Sequence, residues 1–277
     1  MRSADANEGL DRWIGTRSFG RVHEHHESLT STNDRAWAWM GEGAPHGALV
    51  TAELQTVGRG RRGRVWSSPG GGGDIYASLV LRNVVEAGEG PAKVLRLPGV
   101  ALAVAVGVRD GITAASEIDP GRIGLKWPND VQIDGRKVAG VLCESRWQGT
   151  RADVVVGIGC NVGRTEFEGN LRDIATSLRL ADAGGRLLNR AHVLAEILGG
   201  IEAVLPEYLC GGFEAIRARY EPYSVLTGRV VEIDGRGGRV RAVVRGLDAN
   251  GRLEVHRLDG GQVFVVESGE VSLSGGG

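Results

Sequence analysis

The segment Leu97–Ala115 constrains the fold most, because alanine, valine and leucine dominate it from end to end. Such a run is too long for a single strand, and Pro98 stands where the first turn of a helix favours proline. Its most apolar part, residues 100–108, is far shorter than the ~20 residues that a membrane span needs. The segment therefore predicts a helix that is buried inside a globular fold.

Segments of both strand and helix type surround this helix. A capping-box-like sequence at Ser31 predicts a helix that follows a first strand, and Asp134-Gly135 predicts a hairpin between two strands. Together these patterns indicate an α+β domain over residues 21–222, preceded by a flexible tail over residues 1–20. The strands are predicted near residues 21–27, 48–54, 75–81, 123–127, 131–134, 137–147 and 154–159, and further helices at 190–208 and 213–220.

After Pro222 the pattern changes to short β-type runs that are separated by turn sequences such as Asn250-Gly251 and Asp259-Gly260. Runs of this length and spacing are typical of a small β-barrel. We therefore predict a domain boundary near residue 222 and a second domain over residues 223–273.

Charge and cysteine content exclude several classes of protein. The chain has 33 Lys and Arg against 34 Asp and Glu, so no global basic field exists to attract nucleic acid or anionic lipid. Its three cysteines include no Cys-x-x-Cys, which argues against a disulfide framework and a structural zinc site. The first residues lack the apolar core of a signal peptide. We expect a soluble cytoplasmic protein with no membrane partner.

Residues 58–64, the arginine-glycine loop, carry four arginines in seven residues. They also match Gly-x-Gly-x-x-Gly, but Pro69 and a run of glycines follow where a dinucleotide-binding turn requires a helix. Arginine's planar fork suits phosphate or carboxylate, although a solvated basic loop or an RNA contact also fits. The following Trp66 either stacks on an adenine or packs in the core.

Two of the three lysines lie close together in the sequence, at Lys126 and Lys137. The hairpin brings both toward one end of the sheet, where two cations suit a reaction on a polyphosphate; they also fit ordinary surface lysines. Gly140 allows a ligand close to the backbone, and residues 157–162 either line a pocket or form a tight turn. The spacing of His23, His25 and His26 does not predict a metal site.

Five motifs occur in order and together resemble one family. They are Ser-Thr-Asn at 31–33, Gly-Arg-Gly-Arg-Arg-Gly-Arg-Val-Trp at 58–66, Lys-Trp-Pro-Asn-Asp at 126–130, Lys-Val-Ala-Gly-Val-Leu-Cys-Glu at 137–144 and Gly-Ile-Gly-Cys-Asn-Val at 157–162. This set, together with Gln55, resembles the biotin protein ligases over about residues 22–273. The resemblance implies a mixed-sheet catalytic domain related to class II aminoacyl-tRNA synthetases and lipoate ligases, followed by a small SH3-like β-barrel.

The resemblance also implies a two-step reaction with ATP, Mg²⁺ and biotin. Biotin and ATP give biotinyl-5′-AMP and pyrophosphate, and the biotinyl group then passes to a lysine of a biotin carboxyl carrier protein or domain. Because two anions must meet, cations must screen them, and because the adenylate hydrolyses in water, a loop must cover it. The arginine-glycine loop is the candidate lid.

Site residues follow from the resemblance motif by motif. Lys137 and Arg61 are the expected catalytic residues, and no protein side chain is assigned as a metal ligand. The residues expected to bind biotin are Ser31, Thr32, Asn33, Gln55, Arg59, Gly60, Arg61, Lys137 and Gly140. The residues expected to bind ATP are Arg61, Arg62, Arg64, Trp66, Lys126, Asn129 and Asn161.

The chain departs from the family pattern in two places. Residues 70–73 and Asp74 replace a segment that is shorter in family members and often carries an asparagine near Asp74. Only some 20 residues precede the resemblance, whereas bifunctional members carry a winged helix-turn-helix there, so we expect a monofunctional enzyme that does not bind DNA. We expect either a monomer or a ligand-induced homodimer. The alternatives are a lipoate–protein ligase and a nucleic-acid-binding module.

Overall fold

The computed structural model describes residues 9–71, 73–86, 96–235, 238–267 and 271–273. The strands are β1 (His23–Leu29), β2 (Leu49–Gln55), β3 (Ile75–Glu86), β4 (Ile123–Lys126), β5 (Asp130–Ile133), β6 (Arg136–Gln148), β7 (Arg151–Cys160), β8 (Val230–Gly235), β9 (Gly238–Leu247), β10 (Leu253–Arg257), β11 (Val263–Val266) and β12 (Val271–Leu273). The helices are α1 (Thr32–Gly41), α2 (Val100–Ala115), α3 (Leu171–Ile174), α4 (Leu178–Ala181), α5 (Arg190–Gly211) and α6 (Phe213–Tyr220).

The first seven strands form one sheet in the order β1-β2-β3-β7-β6-β5-β4. Strands β1 and β2 are parallel, whereas the other neighbours are antiparallel. The predicted α+β fold with a mixed sheet is therefore confirmed. The predicted hairpin at Asp134-Gly135 is also confirmed, since both residues have positive φ (51° and 78°), as a type I′ turn requires.

The two faces of this sheet bury different helices. On β3, Ile75, Ala77 and Leu79 belong to the main core with α2 and α5, whereas Val80 packs with α1. Because side chains alternate along a strand, Ser78 points to the α1 face as well. The candidate site lies on this α1 face.

Helix α2 is the buried helix that the apolar segment predicts. It packs against α5 so closely that a Cβ on Gly107 would lie 2.6 Å from the Cα of Ile201. Among the described residues, Leu97–Ala115 is the one stretch that length and apolar composition would allow to cross a membrane, and 61% of it is buried inside the fold. The segment serves here as the central helix of a packed core.

Strands β8 to β12 form a second, antiparallel sheet in the order β11-β10-β9-β8-β12. The sheet is joined to the first part of the chain through Trp127, whose Nε1 donates to the carbonyl of Gly251 at 3.0 Å. Leu125 and Ser224 add a short parallel bridge. The short β runs after residue 222 are thus confirmed as strands, while β12 is a strand that the sequence pattern did not predict.

The structure differs from the predicted tail over residues 1–20. Leu10, Ile14 and Phe19 are buried in the main core, and the Glu202 carboxylate of α5 accepts the backbone N–H groups of residues 17–19 at 2.7–3.0 Å. Residues 9–20 are therefore a packed part of the domain. Residues 1–8 of the predicted tail lie outside the described residues.

Candidate functional site

Three glycines on two neighbouring strands form the floor of the site. Gly140 on β6 pairs with Gly159 on β7, and Gly157 lies two residues away on the same face of β7. We call these three residues the glycine floor. A Cβ on Gly159 would lie 2.6 Å from Cζ2 of Trp66, and one on Gly157 would collide with Oδ1 of Asn33. Only glycine therefore allows these side chains to lie on the sheet.

The Ser-Thr-Asn motif closes one end of the floor. Ser31 is the N-cap residue of α1, and all three motif residues are buried. Gln55 accepts hydrogen bonds from the backbone N–H of Thr32 (2.9 Å) and from its hydroxyl (3.1 Å). Ser78 Oγ donates to Oδ1 of Asn33 at 2.6 Å. The motif is thus held rigidly from β2 and β3.

Two buried donors at the floor have no hydrogen-bond partner among the described residues. They are Nδ2 of Asn33 and Nε1 of Trp66. An unpaired buried N–H costs about 1–3 kcal/mol, so such groups usually serve a ligand or an ordered water. Both lie over β7, and together they mark the floor as a binding surface.

The arginine-glycine loop is a narrow ladder over the site. Trp66 N donates to the carbonyl of Gly58 (2.9 Å), and Gly60 N donates to that of Arg64 (2.7 Å). The ladder ends in a turn at Arg62, whose φ is 58°. Arg62 and Arg64 are exposed at the tip. The turn therefore holds several arginines at the mouth of the site.

Arg59 fastens this loop to both sides of the site. Its Nη1 contacts both carboxylate oxygens of Asp34 on α1 at 2.7 Å, and its Nη2 donates to Glu144 on β6 at 3.0 Å. Glu144 also accepts a hydrogen bond from Nε1 of Trp37 at 3.0 Å. Two carboxylates thus balance the charge of the residue that the sequence assigns to biotin.

The two lysines meet at the opposite end of the floor. Lys137 Nζ lies 2.6 Å from Oδ1 of Asp130 and 5.2 Å from the centre of the Trp66 ring. Lys126 faces Asp130 across the β4–β5 pair. Burial lowers the pKa of Lys126, Asp130 opposes this shift, and the neighbouring charge of Lys137 adds to it. This end of the site is therefore cationic around a single carboxylate.

The remaining predicted ATP residues occupy different positions. Nη1 of Arg61 lies 3.5 Å from Oδ1 of Asn129, and burial lowers the pKa of Arg61, with a further contribution from the charge of Arg62. Asn129 donates to the carbonyl of Val141 at 2.6 Å. Asn161 lies inside the protein, where its Nδ2 donates to the carbonyl of Thr176. This hydrogen bond connects the loop after β7 to the segment that contains Thr176.

Sequence reasoning missed several residues of the site. Asp130 and Glu144 stood within the quoted motifs, and their charge was the available signal. Gly157 begins the motif at residues 157–162, which the sequence indicated either as pocket lining or as a tight turn, whereas Ser78 carried no comparable signal because strand register alone brings it to Asn33. Asp34 follows the Ser-Thr-Asn motif directly, but an acidic residue in the first turn of a helix is common and gives no functional signal of its own.

No group of three or more His, Cys, Asp or Glu side chains that could hold a metal ion occurs in the part of the chain that the structure describes. Asp130 is the carboxylate nearest to the two lysines. Mg²⁺ commonly binds through one or two carboxylates together with substrate phosphates. The donor set therefore fits a Mg²⁺ ion that arrives with a nucleotide.

Comparisons with known proteins identify the class of protein to which the chain belongs. The model of the Biotin/lipoate A/B protein ligase family matches residues 26–161, which include all five motifs except the final residue of the last. The fold and site therefore define a protein of the biotin and lipoate ligase class.

The similar proteins narrow this class. The bifunctional ligase/repressor BirA of Bacillus subtilis is 34% identical over 250 residues, covering 89% of this chain and 73% of that protein. The biotin–[acetyl-CoA-carboxylase] ligase of Mycobacterium tuberculosis is 32% identical, covering 94% and 92%. The biotin protein ligase from Aquifex aeolicus in complex with biotin and ATP superimposes with a TM-score of 0.74 at 29% identity, covering 92% and 99%. The chain belongs to the biotin protein ligase family.

Proposed function

We propose that this protein activates biotin with ATP to biotinyl-5′-AMP and transfers the biotinyl group to a lysine of a biotin carboxyl carrier protein or domain. The observation that carries the proposal is the glycine floor, which has the unpaired Nδ2 of Asn33 at one end and two lysines at the other. A ligand with a polar, neutral head and an anionic tail fits this polarity. Biotin, with its ureido ring and its carboxylate, is such a ligand.

The head of biotin is held at the Ser-Thr-Asn end. Nδ2 of Asn33 donates to the ureido oxygen, while Thr32, Gln55 and Ser78 keep that amide in place through their own hydrogen bonds. Ser31, the buried N-cap residue of α1, completes the motif, and its side chain makes no capping hydrogen bond. Gly140 in the floor and Gly60, with Arg59, in the loop form the remaining walls.

In the first step an oxygen of the biotin carboxylate attacks the α-phosphorus of ATP. The new O–P bond forms as the bond from that phosphorus to the bridging oxygen breaks, and pyrophosphate leaves. Lys137 and Arg61 hold the carboxylate and the α-phosphate together and balance their negative charge. Asp130 holds Lys137 on the floor before the nucleotide binds.

In the second step the neutral ε-amine of the carrier lysine attacks the acyl carbon of the adenylate. A C–N bond forms, the acyl C–O bond to the phosphate breaks, and AMP leaves while the amine loses its proton to solvent. The arginine-glycine loop covers the adenylate between the two steps and limits its hydrolysis.

The nucleotide lies at the cationic end. Trp66 stacks on the adenine, and the phosphates lie among Arg61, Arg62, Arg64, Lys126 and Asn129, with Asn161 supporting the adjacent loop. Asp130 and Asn129 are the residues whose oxygens would hold a Mg²⁺ ion bound together with ATP, and such an ion would neutralise phosphate charge there.

The variant Lys137→Ala tests this proposal. We expect it to fold normally and to lose biotin-dependent ATP–pyrophosphate exchange, because it removes the cation between the two reacting anions. The wild-type protein should exchange pyrophosphate with biotin and not with lipoate, and should label a carrier domain, as seen by mass spectrometry. Exchange with lipoate alone, or near-normal exchange by the variant, contradicts the proposal.

Several finer assignments belong to the same proposal. The five-stranded antiparallel sheet at the end of the chain supports an SH3-like β-barrel over residues 223–273, and the mixed sheet supports a catalytic domain over residues 21–222 related to class II aminoacyl-tRNA synthetases. The net charge of −1 supports a role without DNA. We also propose a cytoplasmic location and a monomer, or a homodimer that forms when the adenylate binds.

A further inference from the structure

A buried carboxylate lies outside the catalytic groups described above. The side chain of Asp74, just before β3, is fully buried. Its Oδ1 accepts three successive backbone N–H groups, from Val162 (2.9 Å), Gly163 (3.2 Å) and Arg164 (3.4 Å). Consecutive backbone N–H groups of this kind make a concave anion site. Asp74 thus fixes the turn that follows β7 and Asn161.

The guanidinium of Arg164 completes the cluster. Its Nε donates to Oδ2 of Asp74 at 2.9 Å, and Nη2 donates to the hydroxyl of Tyr76 (3.2 Å) and to the carbonyl of Ser67 (3.1 Å). The Arg164 side chain is 10% exposed. Removing one member of such a buried pair leaves the other charge uncompensated, so the two residues act as a unit.

This cluster reaches the segment that carries Trp66. Ser67 directly follows Trp66 in the chain, and Tyr76 donates to the carbonyl of Pro69 at 3.2 Å. On the other side of this segment, Ser68 Oγ donates to the carbonyl of Trp66 at 3.1 Å. The backbone of residues 66–69 is thus fixed from β3 and from the turn after β7 at once.

We propose that Asp74 and Arg164 are a positioning pair that holds Trp66 over the glycine floor and thereby sets the affinity for the nucleotide. This inference rests on the proposed function, because it takes the adenine as the partner of Trp66. The pair touches neither substrate and acts through Ser67. Biotin binding at the Asn33 end depends on contacts that the pair does not make, so the two affinities should separate.

The variant Arg164→Lys tests the link to Ser67. Lysine keeps a positive charge for Asp74 but has no planar fork that reaches the carboxylate and the Ser67 carbonyl together. We expect the dissociation constant for α,β-methylene-ATP, measured by calorimetry, to rise about tenfold, while that for biotin stays within about twofold. Asp74→Asn should also raise the dissociation constant for the nucleotide analogue. If Asp74→Asn fails to fold, Arg164→Lys still tests the proposal.

A second readout is independent of turnover. The fluorescence of Trp66, obtained by subtracting the spectrum of Trp66→Phe in each background, should shift in Arg164→Lys because the indole leaves its fixed position. Arg186→Lys is the matched control, since Arg186 forms its ion pairs with Glu117 and Asp182 at the surface. It should leave both affinities and the spectrum unchanged.

The outcomes separate the inference from the proposed function. If the wild-type protein makes biotinyl-5′-AMP but Arg164→Lys binds the nucleotide analogue and fluoresces like wild type, the positioning role is overturned. An equal loss of biotin and nucleotide affinity also overturns it, since that result indicates general loosening. If the wild-type protein makes no adenylate, the proposed function fails instead.

Discussion

Adding a single methyl group to the floor should weaken ATP binding without unfolding the protein. In Gly159→Ala the new Cβ would lie 2.6 Å from Cζ2 and 2.7 Å from Nε1 of Trp66. Carbon atoms in contact normally lie about 3.5–4.0 Å apart, so the indole must shift by about 1 Å or more. The strand cannot move instead, because Gly159 is paired with Tyr76 on β3 and with Gly140 on β6.

The size of the effect follows from the proposed stacking of the adenine on the displaced Trp66 ring. Stacking of a base on an aromatic ring is worth about 1–3 kcal/mol, so ATP affinity should fall between about fivefold and about 150-fold. Overpacking costs about 1–3 kcal/mol in a closed core, and the half-buried Trp66 can relieve it by moving outward. We therefore expect the free energy of unfolding to fall by only about 1 kcal/mol.

The assay is the ATP dependence of pyrophosphate exchange at saturating biotin, together with urea unfolding. Gly199→Ala is the control, because a Cβ there meets no other atom within 4 Å. In a double-mutant cycle, Gly159→Ala should have little further effect once Trp66→Ala has removed the ring. Wild-type ATP dependence in Gly159→Ala, or an undiminished effect in the Trp66→Ala background, would refute the reasoning.

Three further outcomes are expected. Gly157→Ala should raise the KM for biotin about tenfold and leave the KM for ATP nearly unchanged, because its Cβ collides with Asn33 rather than with the indole of Trp66. An equal rise of both KM values in pyrophosphate-exchange assays would contradict this. Glu144→Gln should speed tryptic cleavage within the arginine-glycine loop several-fold, since it removes one of the two carboxylates that bind Arg59 of the loop. An unchanged cleavage rate would show that the Glu144 ion pair does not hold the loop in place. The guanidinium of Arg190 forms an ion pair with the carboxylate of Glu53 and lowers the pKa of that carboxyl from its ordinary value of 4.5. The ion pair therefore stabilises the fold above pH 4.5, and this stabilisation is lost as the pH falls through the lowered pKa of the folded state. Urea unfolding of Glu53→Gln should accordingly show a weaker pH dependence below pH 4.5 than wild type, and an identical pH dependence would rule the pair out.

Local patterns were sufficient to predict most of the elements. The apolar run that forms α2, the strand-type run at residues 75–81 and the Asp134-Gly135 turn each depend on neighbours in the sequence, and each is confirmed. The packing of residues 9–20 was not predictable in this way. Leu10 and Phe19 are isolated apolar residues in a polar stretch, and their burial depends on α5, which lies far away in the chain.

The site shows the same limit. The motifs indicated Asn33, Trp66 and Lys137 as residues of one site, but their spacing along the chain does not reveal what lies beneath them. The close approach to the floor depends on the register between β6 and β7, which is set by long-range pairing. The ion pair of Lys137 with Asp130 likewise lies across a register shift in the β5–β6 pair that no local signal marks.

The hydrogen bond from Trp127 to Gly251 bears on how the chain can be divided for experiments. Trp127 follows Lys126 directly, so the lysine that we propose for nucleotide binding adjoins a buried contact with the β9–β10 turn. A fragment that ended at residue 222 would leave this indole N–H without its acceptor and expose apolar surface that the second sheet now covers. The chain should therefore melt in a single transition, and a fragment that ends at residue 222 should not be used as a substitute for the whole chain.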